Sequence, residues 1–181
     1  AAETGRVLGD DTLPLTWIED GPEAGEAAAG IEVWGVAGAE VTPVVVDGIR
    51  LGSLFNNGAT SVCRLGGLLP PSVDCSREEQ TRAVFAMMKA GVEAAGMKFS
   101  NVLRTWFHNH DILDWYGEFN QVRDVFFREN QVFRGIVPAS TGVAGRNPKN
   151  AALTAGLVAF RPQVEGIEAA PLVSPLQCPA L

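Results

Sequence analysis

The sequence predicts an α+β domain: two helices packed on one face of a mixed six-stranded sheet. Three observations carry that expectation. Several short runs alternate apolar and polar residues with period two. Two longer segments carry apolar stripes at helical spacing. The order is strands, helix, strand, helix, strand, strand, which suits a two-layer fold. With 181 residues, 19% charged and 46% hydrophobic, the chain has the size and composition of one globular domain rather than a disordered one. Residues 1–30 read as an acidic N-terminal extension, 31–162 as the domain, and 163–181 as an irregular, Pro-rich tail.

In chain order, Thr12 to Asp20 has strand character. The following GPEAGEAAAG is turn-like, and a loop or a short helix both fit it. Ile31 to Val36 alternates and is a candidate strand. Thr42 to Val46 is a firmer one, followed by Asp47-Gly48, a two-residue hairpin signal, and by a partner strand from Ile49 to Thr60. Residues 31–60 thus predict an antiparallel meander. Ser61 to Asp74, with Gly66-Gly67 and Pro70-Pro71, reads as a loop.

Ser76 and Glu79 have the spacing of a capping box, and a helix from Arg77 to about Ala95 carries Val84, Phe85, Met88, Val92 and Ala95 on one stripe. Gly96 fits the residue just past its end. Val102 to Asn109 alternates as a strand, with Leu103, Thr105, Phe107 and Asn109 on one face and Arg104, Trp106, His108 and His110 on the other. Asp114 is the expected N-cap of a second helix, Trp115 to about Asn130, with Trp115, Phe119, Val122 and Phe126 as its stripe. Arg134 to Thr141 predicts a strand ending in a polar turn, with Pro138 inside it favouring an edge or a bulge. Ala151 to Phe160 predicts the last one. Helices on one face leave the other uncovered, so self-association is expected.

Composition narrows the function. No apolar run approaches the roughly 18–20 residues of a membrane span, so no membrane partner is expected. The net charge is −7. Residues 1–48 hold ten acidic residues and one basic one, and residues 49–181 are close to neutral. A long nucleic-acid track is therefore not expected, whereas a small anionic ligand is compatible. Cys63, Cys75 and Cys178 lack metal-like spacing and predict free thiols in a reducing, cytoplasmic setting. No cofactor is expected.

From about Thr42 to Phe160 the chain resembles the RidA/YjgF family, also labelled L-PSP endoribonuclease. The likeness rests on RLGSLFNNGAT, on EEQTRAVFAMMKAGVEAAGMKFSNVLRTWFH with its Q-T-R helix and Ala-Gly exit, and on FRGIV. A narrower likeness joins RTWFHNHDI, WYGEFNQVRDVFF and FRGIVPASTGVAG, with SPLQCPAL near the end, to the C-terminal half of the chorismatases. The resemblance implies a chorismate-mutase-like fold and a homotrimer with ligand clefts between subunits. It implies hydrolysis of an imine, an enamine or a chorismate-like carboxylate metabolite. It also implies that Arg134, opening a strand, holds the substrate carboxylate. The family's last-strand glutamate has no counterpart: Thr154 and Gly156 stand there. A non-catalytic, ligand-binding homologue is accordingly the alternative.

Arg134 can grip a carboxylate with two parallel hydrogen bonds, or pair with an acid across a subunit interface. His108 and His110 share a strand face. One of them could act as acid or base, both could bind a metal with Asp111 or Asp114, or they could be a hydrogen-bonded structural pair. Tyr116 and Arg123 lie on one helix face, which in the chorismatase likeness lines the cleft; a structural tyrosine and a surface arginine are the alternative. Asn57 could contact a ligand or close a hairpin. Thr141, in a polar turn with Ser140 and Gly142, could help hold an oxyanion. Cys178 lies in the chorismatase-like tail. The expected assignment is His108 and Tyr116 as catalytic residues, Arg134, Arg123, Asn57, Thr141 and Cys178 as substrate-binding residues, and no metal. Glu19 or Asp20 could supply a neighbour with the missing carboxylate.

Overall fold

A computed structural model describes residues 12–19 and 30–172. It contains one six-stranded mixed sheet with two helices on one face, as the sequence predicts. In chain order the elements are β1 (Val41–Val46), β2 (Ile49–Asn56), β3 (Thr60–Leu68), α1 (Arg77–Ala94), β4 (Val102–Asn109), α2 (Tyr116–Glu129), β5 (Ala139–Ala144) and β6 (Leu153–Pro162). The sheet order is β1-β2-β3-β6-β4-β5. All neighbours are antiparallel except β4 and β5, which run parallel and are joined through α2.

The hairpin turn forms at Asp47-Gly48, where both residues have positive φ (49° and 77°), the geometry that makes this dipeptide a hairpin signal. Pro43, which cannot donate to a ladder, lies on the edge strand β1. The capping box of α1 is complete: Glu79 N–H donates to Ser76 Oγ (3.1 Å) and Ser76 N–H to the Glu79 carboxylate (2.9 Å). Buried Gln80 fixes α1 to the sheet, accepting from Ala152 N–H (2.8 Å) and donating to the Cys75 carbonyl (3.0 Å). The predicted stripe Val84, Phe85, Met88, Val92 and Ala95 is buried. Under α2, Phe85, Phe107, Phe119, Phe126 and Phe127 form a continuous aromatic layer, with ring centroids 4.8–6.4 Å apart.

Several expectations need correction. Ser61 to Asp74 is not all loop, because β3 runs through Leu68 and is central to the sheet. Its bulge near Gly66-Gly67, where the pairing with β6 shifts register, accommodates the glycines that suggested a turn. Residues 31–36 have no regular secondary structure and join no ladder among the described residues, so the meander is 41–68 rather than 31–60. Thr12 to Glu19 is not a strand: a turn and bend at Thr12 and Leu13 lead into an irregular strap with a single bridge, Glu19 to Arg146. Asp20 lies outside the described residues. Asp114 belongs to a 3-10 turn, and Trp115 stands at the N-cap of α2 without a side-chain cap. The strand expected to open at Arg134 opens at Ala139. Arg134 ends a 3-10 turn (Val132–Arg134), and Pro138 precedes the edge strand β5 instead of interrupting it. Ser140, Thr141 and Gly142 lie inside that strand and not in a turn.

No helix among the described residues is long and apolar enough to cross a membrane.

Candidate functional site

The face of the sheet away from the helices carries Arg64, Arg104, Trp106 and His108. Strand alternation puts Arg104, Trp106 and His108 of β4 on it, while Thr105, Phe107 and Asn109 turn to the core. Register brings in the neighbours. Ser53, Arg64, Val158, Arg104 and Ala139 form one transverse row from β2 to β5. In the next row Trp106 stands between Gly156 and Thr141, and in the one after it His108 stands between Thr154 and Val143.

Arg104 Nη2 donates to Thr141 Oγ1 (3.1 Å), and its guanidinium lies 5.0 Å from the Trp106 ring centroid. Arg64 approaches the same indole at 5.5 Å and packs closer, at 3.9 Å, under Trp34 from the segment before β1. Its Nη2 lies 3.6 Å from the Glu32 carboxylate, whereas its Nη1 is buried with no hydrogen-bond partner. Burial pushes the Arg64 guanidinium below its ordinary pKa, with the Glu32 carboxylate opposing. The half-buried His108 imidazole is likewise lowered by desolvation, so it is neutral at pH 7 and able to accept a proton.

The strap 12–19 runs along the His108 end of this face. Gly67 N–H donates to Thr16 Oγ1 (2.8 Å), and a Cβ at Gly67 would lie 2.4 Å from the Leu15 carbonyl oxygen. At Gly145, a Cβ would stand 3.1 Å from His108 Cβ and 3.2 Å from Ile18 Cγ2. Close packing of strap, β3 and the loop after β5 therefore depends on residues without side chains.

The sequence-predicted candidates separate. His108 and Thr141 lie together on the open face. Tyr116 and Arg123 are on the other side: the Tyr116 ring stacks on Phe119 and lies near Gly142, and Arg123 pairs with adjacent Asp124 (2.9 Å). Arg134 is exposed in its 3-10 turn, and no ion pair holds it among the described residues. Asn57 closes the β2–β3 turn, its Oδ1 accepting from Ala59 N–H (3.1 Å) and Thr60 N–H (2.8 Å), at the end of the sheet opposite His108. Cys178 lies outside the described residues. His110 Nε2 is 3.2 Å from Asp111 Oδ2 but outside hydrogen-bond geometry. Among the described residues no group of three or more His, Cys, Asp or Glu could hold a metal.

Sequence reasoning placed Arg104, Trp106 and His108 on a common face without assigning the first two a role. Arg64 lies in the stretch 61–74 expected to be loop, where Val62-Cys63-Arg64-Leu65, apolar at three of four positions, gives no period-two signal. The place of the missing glutamate is also clear. Thr154 is buried and donates to the Leu68 carbonyl (3.3 Å), and a Cβ at Gly156 would lie 3.0 Å from Leu65 O. No carboxylate faces out from β6, whose open-face residues are Thr154, Gly156, Val158 and Phe160.

The profile of the Endoribonuclease L-PSP family matches residues 64–169, and the chain belongs to that family. The solved structures it resembles include the YjgF gene product of E. coli (24% identity over 66% of this chain and 92% of that one, TM-score 0.52). E. coli TdcF, solved with bound serine, is 22% identical over the same shares, also at 0.52. Yeast Mmf1 is 20% identical over 66% and 91%, at 0.51. At such identities the likeness carries the fold. No curated protein sequence gives a significant match.

Proposed function

We propose that this protein is a small-molecule hydrolase that binds a carboxylate-bearing metabolite on the open sheet face, in a cleft completed by a second subunit of a homotrimer. The observation that carries the reading is the flanking of Trp106 by two guanidinium groups, Arg64 and Arg104. Guanidinium is the side-chain group best matched to a carboxylate, and an indole between two of them supports a flat organic body. His108, one row from Trp106 and with its pKa lowered by burial, is the histidine on that floor and a candidate base. A substrate imine would be attacked at carbon by water from which His108 takes a proton, the proton passing to the nitrogen as ammonia leaves. An enamine or enol ether would first take a proton from solvent at its β-carbon, giving the iminium or oxocarbenium ion that water then attacks, with the amine or alcohol departing.

A sheet face alone provides a floor and no walls. The concavities between α1 and α2, of about 150 and 300 Å³, lie on the opposite side; Arg82 and Lys89 line the larger with Phe85 and Phe126, but Glu129 stands among them and neither concavity holds a histidine. Exposed Ile31, Val33 and Phe160 are suited to burial against another copy. Sedimentation of the protein as a monomer would contradict the cleft.

The second reading, a binding protein without turnover, is favoured by Thr154 and Gly156, which leave β6 without an acid. The test is a turnover and thermal-shift panel with 2-iminobutyrate, chorismate and small 2-keto acids, on wild type and on Arg104→Ala. Turnover lost in the variant supports the hydrolase. A stabilising shift without turnover, again lost in the variant, supports the binding protein. Turnover undiminished by Arg104→Ala would remove the site from this face.

A further inference from the structure

Arg64 has an occupant supplied by the chain itself. Glu32 and Trp34 lie two residues apart in the segment before β1. They meet one guanidinium together, the carboxylate 3.6 Å from Nη2 and the indole 3.9 Å from the group's centre. Trp34 Nε1 donates to the Glu32 carboxylate, so the two side chains form one unit, a carboxylate held beside a planar ring. The unit is loosely held. Trp34 is 67% exposed, the Glu32 side chain is 78% exposed, and residues 31–36 join no ladder. Arg64 Nη1, buried and unpartnered, is left over as a donor that Glu32 does not satisfy.

We propose that Glu32 and Trp34 form an internal plug over Arg64, and that the ligand displacing it carries a carboxylate on or beside a planar unsaturated group. A ligand carboxylate would take both nitrogens of the guanidinium fork, including the orphaned Nη1, whereas the plug takes one. Its planar part would replace Trp34 above Arg64 and continue over Trp106. This assignment rests on the reading of the open face as the binding surface. An exposed ion pair and an exposed cation–π contact are individually weak, so the plug should lower affinity by on the order of ten-fold rather than close the site.

The test is calorimetric titration of the full chain with benzoate and with acetate, on wild type, on a Glu32→Gln/Trp34→Ala double variant and on Arg64→Met. Benzoate is expected to bind the double variant about ten-fold tighter than wild type, with acetate gaining about three-fold or less, and to lose its binding in Arg64→Met. Equal benzoate affinities in wild type and double variant, with binding still lost in Arg64→Met, would overturn the plug and leave the site standing. Benzoate binding unaffected by Arg64→Met, or absent from all three proteins, would overturn the site reading together with the plug. Because both substituted plug residues are exposed, the double variant should unfold at the wild-type temperature, and a lowered one would show a structural role instead.

Discussion

The two faces of one sheet divide the work of this molecule, and β4 shows the division within eight residues. Phe107 is fully buried in the aromatic layer under α2, whereas its neighbours Trp106 and His108 lie on the open face among Arg64, Arg104 and Thr141. Period-two alternation lets a single strand contribute to stability on one side and, in the function proposed above, to ligand binding on the other. The consequence is that substitutions one residue apart should affect different properties.

The largest expected effect is on the helix side. Phe85 contacts Phe107, Phe119, Phe126 and Phe127, so Phe85→Ala should destabilise the fold by about 3–5 kcal/mol in denaturant unfolding. On the open side, Arg104→Ala should leave unfolding within about 0.5 kcal/mol of wild type. It should nonetheless weaken carboxylate binding by about ten- to a hundred-fold in titration, since a charged hydrogen bond is lost. Equal effects of both substitutions on both properties would erase the division. Ser76→Ala, which breaks the capping box of α1, should cost about 1 kcal/mol of stability and leave ligand affinity unchanged.

A smaller, pH-dependent effect belongs to His108. Its folded pKa is depressed by burial, so the unfolded chain binds this proton more readily. Its stabilising contribution is present above the unfolded value of about 6.5 and is lost as the pH falls through the folded one. Thermal unfolding between pH 8 and 5 should therefore show a loss of stability on acidification that is reduced in His108→Asn. Thiol labelling separates buried from exposed sulfur. Burial pushes Cys63 to about 12, so iodoacetamide should modify exposed Cys75 in the native protein and reach Cys63 only on unfolding.

Local, self-contained signals were legible in the sequence. The stripe of α1, its capping box and the Asp-Gly hairpin each require only a few neighbouring residues, and each lies where expected. What depended on register was not legible. The paired glycines at 66 and 67 signal a turn locally, and only the partner strand β6 shows that they are a bulge in a central strand. IEVWGV alternates like a strand, but nothing among the described residues pairs with it, and its side chains instead meet Arg64. The count of six strands was thus reached with 31–36 in the place of β3. The site followed the same rule. The common face of Arg104, Trp106 and His108 was readable from alternation, while Arg64 joins them only through two intervening ladder pairings, to Val158 and from it to Arg104.

The most direct test of the two-face account uses the four tryptophans as reporters. Trp106 and Trp34 lie on the open face, Trp115 is buried on the helix side with its indole N–H donating to the His110 carbonyl (2.9 Å), and Trp17 is in the strap. Indole N–H resonances, assigned by single Trp→Phe variants, would be followed while 2-ketobutyrate or benzoate is added. The account predicts that Trp106 and Trp34 move together along a saturable curve, with Trp115 unmoved. Movement of Trp115 with Trp106 and Trp34 unchanged would contradict it and transfer the ligand to the helix side.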